Sequence, residues 1–112
     1  MDKISINGET YVKEKSTDEL EHAIIRTYSA GVFAGYIESR NGKEVVLKDA
    51  IRLWKWDGAA SLSQLAMEGV KKPSGCKFTM PVSRIILTEA IEIIPTTPIA
   101  CENIQAVPQW KM

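Results

Sequence analysis

The sequence predicts a β-rich α+β fold: a bent antiparallel sheet or a partly closed small barrel, with one central helix and a short C-terminal helix. Two apolar, β-prone runs at 33–39 and 44–50 flank the segment Arg40-Asn41-Gly42-Lys43, in which Asn-Gly favours a tight type I′ hairpin turn. A third apolar run at 83–94 has the length and composition of a strand. One helical stripe of apolar residues follows Ser61.

Composition and charge restrict the class of protein. The chain has 112 residues, of which 45% are apolar and 25% charged, and its formal net charge is zero. This length suits a single domain over residues 1–112. A general nucleic-acid binder needs a basic excess to displace counterions, so zero net charge argues against that class, although a local basic patch stays open.

Cysteine usage and hydropathy predict the compartment. The sequence shows no secretory leader and no long apolar run, so we expect neither export nor membrane insertion. Cys76 and Cys101 are the only cysteines. We expect both to be free thiols in a reducing cytoplasm.

Alternation predicts the first strands. Residues 3–6 and 9–13 alternate around Asn7-Gly8 and predict a small hairpin, which a polar connection over 13–21 follows. A β-prone run at 22–28 comes next. Gly31 and Gly35 then interrupt the strand pattern, which indicates a bend or the close approach of another backbone or a ligand. We also expect the turn at 28–31 to expose backbone N–H groups that suit an anion when they converge.

The segment 52–56 carries two tryptophans and an arginine. If the alternation of the preceding strand at 44–51 continues, Arg52, Trp54 and Trp56 share one face. Such a face could be a stacking platform for a purine or nicotinamide ring. The alternative is that at least one tryptophan closes the end of a small barrel, because tryptophan is generally well buried.

The central helix is predicted by its cap. Ser61 is a suitable N-cap, the residues at 62–66 supply an apolar stripe, and Gly69 ends the helix. A helix this short is stable only if its stripe packs on the sheet. A long loop is predicted for 70–82.

The C-terminal part is predicted to hold one strand and one helix. The run at 83–94 is apolar on both faces, so we predict a central strand or one covered by a partner subunit. After Pro95, the residues Thr96-Thr97-Pro98 can cap a short helix over 99–105. Trp110 in the tail either folds back over the core or reaches another subunit.

Enzymatic signals are weak. His22 is the only histidine, neither cysteine has a metal-binding spacing, and the glycine-rich phosphate loops of nucleotide enzymes are absent. We therefore predict a non-enzymatic binding protein without metal or cofactor. Its candidate site combines cations and backbone donors that suit phosphate with aromatic rings that suit a base. These residues are Arg26, Tyr28, Ser29, Gly31, Arg52, Trp54 and Trp56.

Residues 26–70 and the segment ILTEAIEIIP at 86–95 resemble a family of small tailed-phage and prophage proteins of unknown function. The resemblance covers residues 22–112. It is most specific in Tyr28-Ser29-Ala30-Gly31, in the segment 41–45, in Arg52-Leu53-Trp54 and in Gly58-Ala59. It carries over no catalytic residue.

The resemblance implies an anti-defence protein, because small non-enzymatic phage proteins often have that role. The version that best fits the candidate residues sequesters a nucleotide-derived immune signal, of the cyclic nucleotide or cyclic ADP-ribose type, in the cytoplasm of an infected bacterium. We expect a homo-oligomer, in which the strand at 83–94 and Trp110 form the interface. Three alternatives stay open: an inhibitor that binds a host defence protein, a nucleic-acid binder that uses the same platform, and a virion or assembly component.

Overall fold

A computed structural model describes residues 3–6, 9–12 and 19–112. The first two strands, β1 (Lys3–Ile6) and β2 (Glu9–Val12), pair antiparallel, as their alternation predicts. The predicted Asn7-Gly8 turn and residues 13–18 of the polar connection lie outside the described residues.

Seven further strands form one sheet, and two helices accompany it. The order in the sheet is β8-β3-β4-β5-β6-β9, with β7 also paired to β5, and all pairs are antiparallel except β6 with β9. This confirms the predicted β-rich α+β class. No helix in the described ranges is long and apolar enough to cross a membrane. The elements are β3 (Glu21–Thr27), β4 (Val32–Asn41), β5 (Glu44–Lys55), α1 (Leu62–Glu68), β6 (Lys77–Thr79), β7 (Val82–Leu87), β8 (Ala90–Pro95), α2 (Pro98–Ala106) and β9 (Gln109–Trp110).

Two β-bulges bend the hairpin of β4 and β5. At the first, Gly35 on β4 faces both Asp49 and Ala50 on β5, and at the second Glu38 is the extra residue on β4. A Cβ atom at Gly35 would lie 3.1 Å from both Cα and Cβ of Ala50. Gly35 is therefore required both for the bend and for the close approach of the neighbouring strand.

The sheet curls until its edges approach. β7 pairs with β5 and β8 pairs with β3, yet only Thr88 and Glu89 separate these two strands in the chain. The N–H of Ala90 donates a 2.9 Å hydrogen bond to the carbonyl of Lys43 at the tip of the β4–β5 hairpin. The two edge strands and the hairpin tip therefore meet at one end of the sheet.

The hairpin turn differs from the prediction. Asn41 still pairs with Glu44, so the two central turn residues are Gly42 and Lys43. Only Gly42 has a positive φ, of 61°. One positive φ at the first central position fits a type II′ turn rather than the type I′ turn predicted, which requires two.

The single strand predicted at 83–94 is wrong. The chain breaks at Thr88-Glu89 into β7 and β8, each of which pairs with one strand, so neither is central. The predicted loop at 70–82 also contains β6, preceded by a 3₁₀ turn at Pro73–Gly75. In this arrangement Leu87 is buried, whereas Ile86 and Ile91 are 50% and 47% exposed.

Buried side chains form two cores, one on each face of the sheet. The helix-side core consists of Ile24, Ala34, Leu53, Leu65, Ala66, Val70, Phe78, Ile104 and Val107. The strand-side core consists of Ala23, Ile25, Phe33, Val45, Leu47, Ala50, Leu87 and Ala90. Adjacent residues of β3 alternate between the two cores, as the period of two requires.

Both predicted helices are present, and α2 is one residue longer at each end than the predicted range 99–105. Ser61 Oγ accepts a 3.2 Å hydrogen bond from the N–H of Gln64, and Thr97 Oγ1 accepts one of 3.0 Å from the N–H of Ala100. The N–H of Gly69 caps α1 by donating to the carbonyl of Leu65. These caps place α1 and α2 against each other and against the sheet.

Substitution of Gly35 by valine is expected to destabilise the protein by about 1–3 kcal/mol, because the added carbons press on the backbone of Ala50. Ser39→Val on the exposed part of the same strand is the control, with an expected change within about 0.5 kcal/mol. Urea unfolding followed by circular dichroism measures both changes. A Gly35→Val protein as stable as the unmodified chain would contradict the close packing of β4 on β5.

Candidate functional site

Arg52 is the centre of the candidate site. It lies on β5 opposite Phe33 of β4, and its guanidinium carbon is 4.8 Å from the centroid of the Phe33 ring. Its Nε atom is buried and has no hydrogen-bond acceptor in the part of the chain that the structure describes. A cation–π contact therefore holds the guanidinium in place while one of its donors is unsatisfied.

This environment favours an incoming anion. A buried donor without an acceptor costs roughly 1–3 kcal/mol, more when it is charged. None of the ion pairs among residues 19–112 involves Arg52. Its backbone N–H is satisfied by Thr79 Oγ1 at 2.9 Å, so the unsatisfied donor belongs to the side chain alone.

Three surface grooves meet at Arg52. The Trp54 groove, of about 320 Å³, is lined by Gly31, Val32, Arg52, Leu53, Trp54 and Trp56, among others. The Trp110 groove, of about 450 Å³, is lined by Phe33, Arg52, Thr79, Met80, Val82 and Trp110, among others. The Ser29 groove, of about 230 Å³, is lined by Thr27, Ser29, Arg52, Ile86 and Glu89, among others. Only the Ser29 groove has a carboxylate among its lining residues.

Trp54 and Trp110 form an exposed aromatic pair beside Arg52. Their ring centroids are 6.4 Å apart with planes 22° from parallel, and the residues are 62% and 47% exposed. Trp110 folds back onto the sheet through the pairing of β9 with β6, which is the first of its two predicted alternatives. Lys77 Nζ lies 5.0 Å from the centroid of the Trp110 ring. A flat aromatic surface next to two cations suits a planar ring that carries an anionic group.

Trp56 does not continue the face of Arg52 and Trp54. β5 ends at Lys55, and Trp56 packs, half-buried, against the helix-side core to which Leu53 belongs. The prediction of one shared face is wrong for Trp56, because a register shift at Trp54 and the end of the strand interrupt the alternation. Trp56 still lines the wall of the Trp54 groove.

Arg26 and Arg52 lie on opposite faces of the sheet. Arg26 pairs with Val32, which packs against the helix-side core, whereas Arg52 pairs with Phe33 of the strand-side core. Arg26 Nε also donates to Glu92 Oε1 at 3.2 Å. The structure therefore does not bring the two arginines together around one ligand.

The turn at 28–31 places its residues unevenly around the site. Ser29 and Gly31 line two of the grooves, but Tyr28 is 76% exposed and lines none of the three. Thr27 Oγ1 accepts from the N–H of Ala30 at 2.9 Å and donates to the carbonyl of Gly31 at 2.7 Å. Because Thr27 already binds the Ala30 amide, the turn offers an anion fewer backbone donors than predicted.

A second cavity lies on the helix side of the sheet, between β3–β5 and the C-terminal half of α2. This α2 cavity measures about 300 Å³, and its apolar walls include Ile51, Phe78 and Ile104. Its polar lining residues are His22, Asp49, Thr79, Gln105 and Gln109. Sequence reasoning did not predict it, because its residues come from five separate segments of the chain.

His22 is buried at this cavity. Its Nδ1 lies 2.7 Å from Thr96 Oγ1, and its ring packs edge-on against Tyr36 with centroids 4.9 Å apart. Burial lowers the pKa of His22 to about 4, so the imidazole is neutral at pH 7. Burial, with a smaller contribution from the Cys101 hydrogen bond, raises the pKa of Tyr36.

The lowered pKa of His22 predicts a loss of stability in mild acid. The unfolded chain takes up a proton near pH 6.5 and the folded chain only near pH 4, so stability falls as the pH drops through this interval. Between pH 7.5 and 4.5 this costs about 2–3 kcal/mol, an effect that His22→Asn should remove. Urea unfolding of both proteins at the two pH values measures the difference. An NMR titration giving His22 a pKa near 6.5 would contradict the burial.

Sequence reasoning also missed Phe33, Thr79 and Trp110 as neighbours of Arg52. If the register of the Asn41–Glu44 pair continued without bulges, Phe33 would lie opposite Arg52. The two bulges lie on different strands, so their shifts cancel and this pairing is kept. A correct choice of turn residues would therefore have predicted this contact. Thr79 and Trp110 lie in segments that the sequence predicted to be a loop and a tail. No local pattern in these segments indicates strand pairing.

Comparison with known proteins identifies a family. Residues 20–104 match the family model described as Domain of unknown function (DUF6948). No curated protein and no solved structure gives a significant match.

Proposed function

The chain belongs to the DUF6948 family, and we propose that it is a non-enzymatic protein that binds and sequesters a nucleotide-derived small molecule at Arg52. The observation that supports this most is the buried Nε of Arg52, which lacks an acceptor beside an exposed tryptophan pair. A nucleotide supplies the two groups this surface lacks: an anion for the guanidinium and a flat ring for the indoles.

The charges favour two of the three grooves for the ligand. Glu89 lines the Ser29 groove, so its carboxylate disfavours phosphate there. The Trp54 and Trp110 grooves have no carboxylate among their lining residues and share Arg52. We place the phosphate at Arg52 and the base against Trp54 or Trp110, with Lys77 as a further cation beside Trp110.

We propose that the protein binds the ligand without converting it chemically. Proton transfer by a side chain most often uses histidine, a carboxylate, lysine, tyrosine or cysteine. Neither the Trp54 groove nor the Trp110 groove has such a residue among its lining residues. We therefore expect the bound molecule to be released chemically unchanged.

The resemblance to phage proteins supplies the biological role. In this proposal the protein acts in the cytoplasm of an infected bacterium and removes a cyclic nucleotide or cyclic ADP-ribose signal of host immunity. Sequestration of this kind requires tight binding and no product. We further propose a homo-oligomer in which exposed apolar residues of the edge strand β7, Val82 and Ile86, face a second copy.

A second candidate function uses the same surface. Trp54, Met80, Val82 and Trp110 are all exposed around the Arg52 grooves, and large exposed apolar side chains near an arginine are typical of protein interfaces. In this alternative the protein inhibits a host defence protein by binding it directly. Here the surface would be covered by a protein, and no small molecule would copurify.

Native mass spectrometry tests the proposal. The protein is purified from cells that express a nucleotide-signalling defence system, and in parallel is mixed with 3′,5′-cyclic nucleotides and cyclic ADP-ribose. A stoichiometric adduct that is lost on heating, with the mass of the added molecule unchanged, is the expected result. A ligand-free protein in every condition would overturn sequestration and favour the protein-binding alternative, for which affinity capture is the next experiment.

A further inference from the structure

We propose that the α2 cavity is a second ligand site, which binds a small planar cation of the amidinium or aminated aromatic type through Asp49 and the Nε2 atom of His22. This site lies on the face of the sheet opposite Arg52 and prefers the opposite charge. It therefore does not depend on the function proposed above.

The polarity of the cavity determines the ligand class. Asp49 is the only formally charged residue that lines it, and no lysine or arginine does. The walls on both sides are apolar and include Ile51 and Phe78, which suits a flat ring. A ring with N–H donors and a positive charge satisfies the carboxylate and buries its apolar faces, whereas an anion would be repelled by that carboxylate.

The hydrogen bonds of His22 determine which ring nitrogen faces a ligand. The Thr96 hydroxyl lies within hydrogen-bond distance of the carbonyl of His22, at 3.1 Å, and of Nδ1 of the ring, at 2.7 Å. We assign the hydroxyl proton to the carbonyl, so that the Thr96 oxygen accepts from Nδ1–H. The proton of the neutral imidazole is then on Nδ1, and Nε2 carries a lone pair. His22 therefore presents an acceptor, in agreement with a donor-bearing ligand.

The backbone at Asp49 supports a functional role. Among residues 19–112, Asp49 is the one non-glycine residue with a positive φ, of 49°. It lies in the bulge opposite Gly35, and bulges commonly redirect a side chain next to a binding site. Asp49 lines the cavity and is exposed to solvent, so its carboxylate is accessible to a ligand.

Benzamidine is the probe, and benzoate, with the same ring and the opposite charge, is its control. The chain has one histidine, so the imidazole signals of protein labelled with ¹³C and ¹⁵N in histidine report on this cavity without further assignment. Benzamidine is expected to shift the Nε2 signal in a saturable manner. Benzoate at the same concentration is expected to leave it in place.

Asp49→Asn is the decisive variant, because asparagine tolerates a positive φ about as well as aspartate and should preserve the bulge. We expect it to weaken benzamidine binding at least about 10-fold, whereas Arg52→Ala leaves binding unchanged. The amide spectrum of each variant shows whether the fold is kept, and Asp49→Gly, which removes the carboxylate and adopts a positive φ freely, serves in its place if Asp49→Asn does not fold. No saturable shift with benzamidine, equal binding of benzoate, or undiminished binding to a folded Asp49 variant would each overturn the inference.

Discussion

Replacing Arg52 by alanine is expected to weaken capture of a cyclic nucleotide by about 10- to 100-fold, since a charge-assisted hydrogen bond contributes roughly 1.5–3 kcal/mol. Stability should not fall with it, because the substitution also removes a buried Nε that lacks an acceptor. Isothermal titration calorimetry with the ligand found by mass spectrometry measures the affinity. Urea unfolding measures the stability of the same sample.

Arg26→Ala is the matched control for this experiment. It removes the same charge from the same sheet, but from the opposite face and from an exposed ion pair with Glu92. Its expected effect on affinity is below about twofold, because exposed ion pairs contribute little and Arg26 lines none of the three grooves. Equal losses in both variants would indicate attraction by net charge rather than a site at Arg52. Unchanged capture by Arg52→Ala would remove the site assignment.

Replacing Phe78 by alanine is expected to cost about 3–5 kcal/mol of stability, a large part of the total for a domain of this size. Phe78 is 1% exposed in the helix-side core and pairs with Leu53 across β5 and β6. Its truncation would leave a cavity that rigid strands cannot close. Thermal or urea unfolding followed by tryptophan fluorescence measures the loss.

Phe78→Leu is the control, because it keeps most of the apolar volume and should cost considerably less than the alanine substitution. The two variants also test whether residues 77–79 form a strand that is packed in the core or an unpacked loop. If Phe78→Ala lowered stability by less than about 1 kcal/mol, the segment at 77–79 would not be anchored in the core, and the position of Thr79 beside Arg52 would lose its support.

Elements whose signals are local were predictable from the sequence. Ser61 and Thr97 cap α1 and α2 with hydrogen bonds to residues three positions later, so neighbouring residues are enough to predict both helices. Alternation and turn residues likewise predicted the hairpins of β1–β2 and β4–β5. Among the candidate site residues, Arg52, Trp54, Ser29 and Gly31 lie around shared grooves, because the start of β4, which follows the turn at 28–31, pairs with the end of β5.

Which side chains face each other depends on how the strands pair in three dimensions. The face of a strand residue depends on register, and one bulge or one displaced turn residue exchanges the two faces. The bulge at Trp54 separates Trp56 from the face of Arg52 and Trp54, and the register of β3 places Arg26 on the face opposite Arg52. The break at Thr88-Glu89 divides one apolar run into the edge strands β7 and β8. The pairing of β9 with β6 and the α2 cavity join segments that are distant in the chain. Such contacts leave no periodic signal in the sequence, since each segment carries only its own half of the interaction.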